Sequence, residues 1–353
     1  MAKKSHSNSQ FSSDISNPIS RIVEPSSEFY SIFSKQEVLE LIQVLELRRE
    51  FPLKYSYKGR GAKIWNNFYQ KYIIPKWYRT SNVEIDLLKK NFVYINGNYQ
   101  NCTKVNIVDV GSGNSYPVKK FISQLYKLKK INKYIALDIS NELLILSKAN
   151  FIKWFPLIAF DSYTVDIEAS SIPVEILLNS TSAENNEIAN IFLHLGVTIG
   201  NHHDRTKVLK NFRNSMEKND FLVFTNETGS NSKWDGRVRG GCKYHVEELY
   251  AWIKNKVGIR SEDCELVRKY DFKTDSITAN IKFNQNYTVS FSKLGINKNI
   301  EILKDEEITI WRHHKYEMPE LIQELEKAGL QIVHSSYDKY STHIMIICKV
   351  ADS

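Results

Sequence analysis

The stretch VDVGSGNS, residues 108–115, decides the fold. It closes the short β-branched run KVNIVDV (104–110) and leads into apolar residues at helical spacing, which are Val118, Phe121, Ile122 and Leu125. Glycines at a turn between a strand and a helix let a ligand approach the backbone closely, where a Cβ would clash. The pattern therefore predicts a βα unit with a ligand site at Gly111, Ser112 and Gly113.

The same alternation continues on the C-terminal side. The runs KYIALD (133–138), NIFLHL (190–195) and FLVFTNE (221–227) are short and apolar, and helical patterns lie between them. After residue 316 a further helical pattern precedes two more apolar runs, QIVHSSY and THIMIICKV. Strands separated by helices predict an α/β fold with a doubly wound, mostly parallel sheet.

Residues 230–315 interrupt this pattern. They contain one helical segment, Val246 to Ile253, and the alternating runs SITANIKF (276–283), YTVSF (287–291), IEILK (300–304) and ITIWR (308–312). Alternation with short turns is typical of antiparallel strands. We expect a second α+β domain from residues 28–90 and 230–315, a sheet domain from 91–229 and 316–353, and a mobile Ser- and Asn-rich tail at 1–27.

Polar residues follow the other predicted parallel strands. Asp138 ends the second strand, where a carboxylate can accept both hydroxyls of a ribose. In the third strand region, Asp166 can accept from an adenine amino group while Ile167 covers the ring. Asn201 follows the fourth strand, and its amide offers both a donor and an acceptor to a substrate.

The turn itself restricts the choice of nucleotide. Tyr116 takes the place of the third glycine of GxGxxG, and the phosphate-binding GxxxxGK[ST] pattern is absent from the sequence. A nucleoside without phosphates fits better, and S-adenosylmethionine is the common one.

Composition excludes several other classes of protein. Lys plus Arg is 48 and Asp plus Glu is 40, so the net charge is +8, which permits an anionic partner without requiring one. No apolar run approaches the roughly 18 residues that span a bilayer, and no secretory signal is present. Four separated cysteines without a CxxC pair favour a reducing, cytoplasmic setting.

The histidines give no pattern typical of a metal site. His202-His203 and His313-His314 are adjacent pairs without HxxxH spacing, so we expect no metal. We expect His202 and His203 at an exposed helix start.

With these elements in place, the chain resembles the histidine Nα-methyltransferases of the ergothioneine pathway, a family that also includes fungal dimethylallyltryptophan N-methyltransferases. The matching elements are VDVGSGNS, YIALDIS, LGVTIGN and the segment from Tyr57 to Trp65 (YKGRGAKIW), in the same order and spacing. The likeness runs from about Phe51 to Val350. It implies a class I, Rossmann-like methyltransferase core with a substrate domain.

The resemblance also implies roles for single residues. Gly111, Asp138, Asp166 and Ile167 would contact S-adenosylmethionine. Tyr57 and Asn201 would lie at the substrate as the catalytic residues. Trp77, next to Tyr78, occupies the position where the histidine enzymes have a tyrosine near the amino acid. Tyr244 is the candidate for a second family tyrosine, which binds the substrate carboxylate.

The departures from the family pattern concern the substrate. The family has a lysine shortly after the glycine turn, whereas this chain has Pro117. The histidine enzymes hold the imidazole with a Glu-x-Ser pair, and the corresponding positions here are Trp311 and His313. An indole cannot accept a hydrogen bond from an imidazole N–H.

These observations predict an S-adenosylmethionine-dependent N-methyltransferase acting on an amino acid or related small amine other than histidine. Three alternatives stay open: a histidine enzyme with different imidazole contacts, a nucleic-acid methyltransferase, and a non-catalytic binding protein of the same fold. We expect no nucleic-acid or membrane partner. The sequence does not define the amine, the number of methyl groups, the pathway, the proton acceptor or the oligomeric state.

Overall fold

The computed structural model describes residues 20–77, 82–99, 104–177, 188–237 and 242–351. Its strands are β1 (Arg21–Val23), β2 (Lys104–Val110), β3 (Ile131–Asp138), β4 (Ala159–Thr164), β5 (Ile188–His194), β6 (Phe221–Glu227), β7 (Cys264–Asp271), β8 (Ser276–Phe283), β9 (Tyr287–Phe291), β10 (Lys298–Ile302), β11 (Glu307–His313), β12 (Leu330–Tyr337) and β13 (His343–Val350).

Helices connect these strands. They are α1 (Ser27–Ile32), α2 (Lys35–Arg48), α3 (Arg60–Phe68), α4 (Val83–Gly97), α5 (Lys119–Lys127), α6 (Asn141–Trp154), α7 (Val174–Leu177), α8 (Thr198–Asn201), α9 (Arg205–Ser215), α10 (Cys242–Val257) and α11 (Met318–Lys327). Short 3₁₀ turns lie at Leu53–Tyr57 and Ser261–Asp263, and a π-helical turn at Tyr69–Ile73.

Seven strands form the main sheet, in the order β12-β13-β6-β5-β2-β3-β4. β2 pairs in parallel with both β3 and β5, β3 with β4, and β5 with β6. β13 runs antiparallel to both β6 and β12. The predicted doubly wound α/β sheet is therefore confirmed, and its strand order reverses at β2, where ligands of such sheets bind.

Burial explains why β2 and its neighbours form the centre of this sheet. Every residue of β2 after Lys104 is buried, as expected for a parallel strand with a layer on both faces. One hydrophobic cluster holds α4, α5 and α6 against one face, and a second cluster holds α9 and α11 against the other. The ends of the strands are thereby fixed as a rigid base for side chains.

The remaining strands form two small sheets, ordered β1-β9-β10 and β11-β8-β7. The pairs β8/β11, β7/β8 and β9/β10 are antiparallel, as the alternation predicts. A separate hydrophobic cluster joins these sheets to α1, α2 and α10. β7 has no counterpart among the sequence predictions.

The N-terminal segment differs from the expected mobile tail. From Ser20 onward it is ordered, because β1 pairs in parallel with β9 and Arg21 lies 3.1 Å from the carboxylate of Asp263. The tail interpretation is therefore wrong for residues 20–27, and residues 1–19 lie outside the described part of the chain. Three residues are too few for a recognisable strand pattern. They form a strand because they pair with the free edge of β9.

Candidate active site

The turn after β2 has the geometry that glycine allows. Gly111 and Gly113 have φ angles of 75° and 53°, in the left-handed region. A Cβ on Gly113 would collide with the indole ring of Trp65 from α3. The turn is thus packed directly against the ring of Trp65, and only glycine fits at position 113.

Asp138 lies at the tip of β3, beside this turn. Its two carboxylate oxygens accept hydrogen bonds from the backbone N–H groups of Gly113 and Ser140, each at 3.0 Å. The side chain is 6% exposed, and burial outweighs these two hydrogen bonds and raises its pKa to about 6. Each oxygen keeps a second lone pair, so the carboxylate can still accept from a ligand hydroxyl.

Asp166 and Ile167 border the same cleft, but Asp166 already has partners. Its Oδ2 lies 2.6 Å from Nζ of Lys54, which also pairs with Glu40, and its Oδ1 accepts from the N–H of Glu168. Lys54 belongs to the 3₁₀ turn that carries Tyr57. An adenine amino group at Asp166 would therefore share the carboxylate with Lys54.

Two histidines form a chain of contacts along the floor of the cleft. His194 Nδ1 lies 2.9 Å from the carbonyl oxygen of Val110, and its Nε2 lies 3.2 Å from Nε2 of His202. His202 Nδ1 lies 2.6 Å from Glu168. Burial lowers the pKa of His194 to about 3, whereas for Glu168 the opposing effect of His202 outweighs burial and lowers the pKa to about 2.

The expectation that His202 and His203 lie in solvent is wrong. Both line the cleft, since α8 ends at Asn201 and α9 starts only at Arg205. His203 lies 3.5 Å from Glu50, a buried carboxylate that is also paired with Arg312.

A cleft lies over the carboxyl ends of β2, β3 and β4, and the space between its atoms is about 970 Å³ when open solvent at its mouth is included. Its walls bring together most of the residues predicted to contact a cofactor: Gly111, Gly113, Asp138, Asp166 and Ile167. Ser112 instead faces an adjoining part of the cleft, and Gly111 borders both parts. An extended ligand can therefore pass from one part to the other over the turn.

The adjoining part brings together four of the residues predicted for the substrate: Tyr57, Asn201, Trp311 and His313. Oδ1 of Asn201 lies 3.3 Å from Nδ1 of His313, and the rings of Trp311 and His313 stack with centroids 5.9 Å apart. This wall joins α8 to β11, so side chains more than 100 positions apart meet at one end of the sheet.

Glu227, the last residue of β6, was missed by the sequence analysis and lies in the same wall. Its Oε2 lies 3.2 Å from Nε2 of His313 and 3.4 Å from Nζ of Lys315, and His343 is also close. Burial alone would raise its pKa, but the hydrogen bond of His313 and these positive charges outweigh burial and hold the pKa well below its usual range.

Two further residues of this wall, His245 and Trp65, were not among the predicted site residues. His245 of α10 stacks on Tyr57 with centroids 6.1 Å apart, and burial lowers its pKa to about 4. Trp65, the last residue of the YKGRGAKIW segment, borders both parts of the cleft. The only signal in the sequence was the position of Trp65 within the YKGRGAKIW segment.

Other predicted substrate residues do not reach this wall. Trp77 is 69% exposed and contacts Tyr72 edge to face. Tyr244 is 46% exposed and stacks on Tyr72, facing a different surface pocket. Tyr78 lies outside the described residues.

One group of potential metal ligands occurs in the described part of the chain: Asp275, His314 and Glu320. His314 is fully buried, with Nδ1 at 2.6 Å from the carbonyl oxygen of Asp275 and Nε2 at 3.0 Å from Glu320. Both ring nitrogens are therefore already engaged, one with the turn between β7 and β8 and the other with α11. Across the described ranges, we find no helix with the length and apolar character needed to cross a bilayer.

Comparison with known proteins was made at the level of sequence families and of folds. A family model described as "Histidine-specific methyltransferase, SAM-dependent" matches residues 35–233, more than half of the 353 residues. No curated protein sequence matches the chain.

Several solved structures are similar to the chain. One is an S-adenosylmethionine-dependent methyltransferase from Clostridium acetobutylicum, with 13% identity, a TM-score of 0.42, and coverage of 82% of this chain and 99% of that one. Another is the CcbJ methyltransferase from Streptomyces caelestis, with 9% identity, a TM-score of 0.41, and coverage of 75% and 90%. These scores are low, and the fold assignment depends on the strand order given above.

Proposed function

The chain belongs to the histidine-specific, S-adenosylmethionine-dependent methyltransferase family, and we propose that it methylates the amino nitrogen of an amino acid or related small amine other than histidine. The observation that carries this proposal is the continuity of the two parts of the cleft. Tyr57, Trp65, Gly111, Thr198 and Asn201 border both the part beside Asp138 and the part beside Trp311 and His313.

The residues of the first part fit S-adenosylmethionine. The glycine turn leaves room for a ribose, Asp138 keeps lone pairs for its hydroxyls, and Ile139, Leu143 and Ile167 provide apolar walls for a purine. When bound, this cofactor supplies an electrophilic methyl group on a sulfonium sulfur.

The residues of the second part would position the amine. Asn201 can hold the nitrogen by its amide, and alignment of this kind is worth about 7–11 kcal/mol in well-oriented systems. Tyr57, Trp65 and Trp311 present aromatic faces to a cleft in which positive charge is transferred from sulfur to nitrogen. Each such contact contributes on the order of 0.5–2 kcal/mol.

The amine must be neutral to react. Its pKa is lowered next to a positive sulfonium, and water at the open mouth of the cleft can accept the proton. Binding, alignment and desolvation by this chain's own side chains are then sufficient, and no covalent enzyme intermediate is needed.

Histidine is a second candidate substrate because of Glu227. Trp311 cannot accept from an imidazole N–H, which argues against the contacts that the resemblance implies for histidine. Glu227, however, is a carboxylate on the same wall, within hydrogen-bond distance of His313. If the ring of His313 turned away, Glu227 would be able to accept from an imidazole.

The experiment that tests the proposal is incubation with S-adenosylmethionine and a panel of amines, read by mass gains of one, two or three methyl groups. The panel contains aliphatic, aromatic and basic amino acids, their decarboxylated amines, and histidine. Methylation of a non-histidine amine supports the proposal. Exclusive methylation of histidine would establish the second candidate, and methylation at oxygen, carbon or sulfur would reject N-methylation.

An Asn201→Ala variant tests the amine site itself. We expect a loss of about 10–100-fold in kcat/KM with little change in cofactor affinity, the range for losing a hydrogen bond to a nitrogen that becomes charged in the transition state. The control is Asn98→Ala, which removes an exposed amide at the end of α4. Equal losses in both variants would reject the role of Asn201.

The domain division is part of the proposal. Residues 28–90 with 230–315 would form the substrate domain, and 91–229 with 316–353 the cofactor domain, as the separate hydrophobic clusters support. Val83 and Leu87 of α4 pack in the cluster of the main sheet, so we place the boundary before Val83. We also propose a reducing, cytoplasmic setting, in which the free buried thiols of Cys264 and Cys348 are stable.

A further inference from the structure

The substrate part of the cleft has an acidic end next to the glycine turn. Glu84 and Asp109 line this end together with Tyr69, Ser112 and Gly111. Among the described residues that line this part, none is a lysine or an arginine. Two histidines that also line this part, His313 and His343, lie beside Glu227.

Among the residues that the structure describes, no lysine, arginine or histidine pairs with Glu84. It lies in the first turn of α4, and its Oε1 accepts a 3.4 Å hydrogen bond from the hydroxyl of Tyr69. No ion pair joins it to any residue that the structure describes. Burial raises its pKa, and the opposing effects of its own backbone N–H and of Tyr69 do not offset this.

The two neighbours of Glu84 at this end are also incompletely paired. Ser112 is 4% exposed and lines the cleft, and its hydroxyl has no hydrogen-bond partner among the described residues. Asp109 is buried, and within the described ranges its carboxylate accepts a side-chain hydrogen bond from Tyr134 alone, at 2.6 Å. Burial raises its pKa to about 7. Buried polar groups that lack partners are costly, so their presence in a cleft points to a ligand that satisfies them.

The position of this acidic end identifies the part of the ligand that it meets. A nucleoside with its ribose at Asp138 directs its 5′ substituent across Gly111, which borders both parts of the cleft. In S-adenosylmethionine this substituent ends in an α-amino acid, with one ammonium and one carboxylate. We propose that Glu84, held by Tyr69, accepts hydrogen bonds from that ammonium, while the hydroxyl of Ser112 donates to the carboxylate.

The two lysines that follow the glycine turn do not line this end of the cleft, so neither of them meets the carboxylate of the cofactor tail there. Lys119 and Lys120 border a separate pocket, and Nζ of Lys119 lies 4.4 Å from the ring centroid of Trp154. Pro117 lines the acidic end but offers no charge. The cofactor tail therefore meets carboxylates at this end, and its ammonium is the group that complements them.

The test compares two ligands by calorimetry without any amine substrate. S-adenosylhomocysteine carries the amino acid tail, and 5′-methylthioadenosine carries the same nucleoside without it. In Glu84→Gln, which keeps the shape of the side chain, we expect at least tenfold weaker binding of S-adenosylhomocysteine and a change below twofold for 5′-methylthioadenosine.

Two controls make the comparison specific. Asp86→Asn removes an exposed acidic residue from the same first turn of α4, and both ligands should bind it as they bind the wild type. A desamino analogue of S-adenosylhomocysteine lacks only the ammonium, and Glu84→Gln should bind this analogue as tightly as the wild type does.

Each remaining outcome overturns the proposal. Equal weakening of both ligands would assign Glu84 a structural role, and unchanged binding of both would place the ammonium elsewhere. Because no methyl transfer is measured, failure of the proposed amine methylation leaves this result intact.

Discussion

The backbone N–H of Gly113 donates to Oδ2 of Asp138 at 3.0 Å, so the turn after β2 is tied to the tip of β3. The carboxylate that would hold the ribose thus also fixes the turn that makes room for it. Burial raises the pKa of Asp138 to about 6, within the range where enzymes are assayed. The charge of the Asp138 carboxylate therefore changes with pH under assay conditions.

We expect the affinity for 5′-methylthioadenosine to fall as the pH drops from 7.5 to 5. The ionised carboxylate accepts from ribose hydroxyls, and below pH 6 the group is increasingly protonated, so affinity decreases by up to about tenfold per pH unit. Calorimetry across this range checks it. Asp138→Asn should bind weakly with a much flatter profile, and an unchanged profile in that variant would exclude Asp138 as the titrating group.

Gly113→Ala should destabilise the protein and weaken cofactor binding. A left-handed conformation costs a non-glycine residue about 1–2 kcal/mol, and the new methyl group also collides with the ring of Trp65. Denaturant unfolding and S-adenosylhomocysteine titration measure the two effects. The matched control is Gly97→Ala at the end of α4, where a Cβ meets nothing within 4 Å and the free energy of unfolding should be unchanged or slightly higher.

The sequence predicts those parts of the structure that local pattern determines. β2, β6, β8 and β9 have the predicted boundaries, because each is a short apolar or alternating run between clear turns. β7 was missed because only pairing with β8 makes its mixed, partly exposed sequence a strand.

Only part of the candidate site could be predicted from the sequence, because local pattern does not determine contacts between distant segments. Asp138 and Asn201 follow from the rule that ligands meet the carboxyl ends of parallel strands. The contacts of Glu227 with His313 and of Glu84 with Tyr69 depend on how distant segments pack. Tyr244 does not line the cleft, because its ring stacks on Tyr72 at another surface pocket, and the pattern of α10 alone does not predict this contact.

Glu227→Gln should lower stability at pH 7 and have less effect as the pH falls. The pKa of Glu227 is held below its ordinary 4.5, so its charge stabilises the folded chain above that value, and this stabilisation is lost progressively at lower pH. Thermal unfolding of both proteins at pH 5 and pH 3 gives the comparison. Glu326→Gln, at an exposed position on α11, should match the wild type at both pH values; a Glu227→Gln deficit that grew from pH 5 to pH 3 would contradict the assignment.

Trp311→Glu should shift substrate preference towards histidine. Trp311 is 7% exposed and lies beside His313 in the part of the cleft that we propose for the amine, so a carboxylate there would give an imidazole N–H the acceptor that an indole lacks. The variant loses packing and brings a second carboxylate near Glu227, so we expect lower stability as well. The ratio of kcat/KM for histidine to that for the best other amine is independent of the folded fraction, and we expect it to rise at least tenfold. Trp311→Phe keeps an apolar ring and should leave the ratio within about threefold; an equal shift in both variants would mean that cavity size, and not hydrogen bonding, selects the amine.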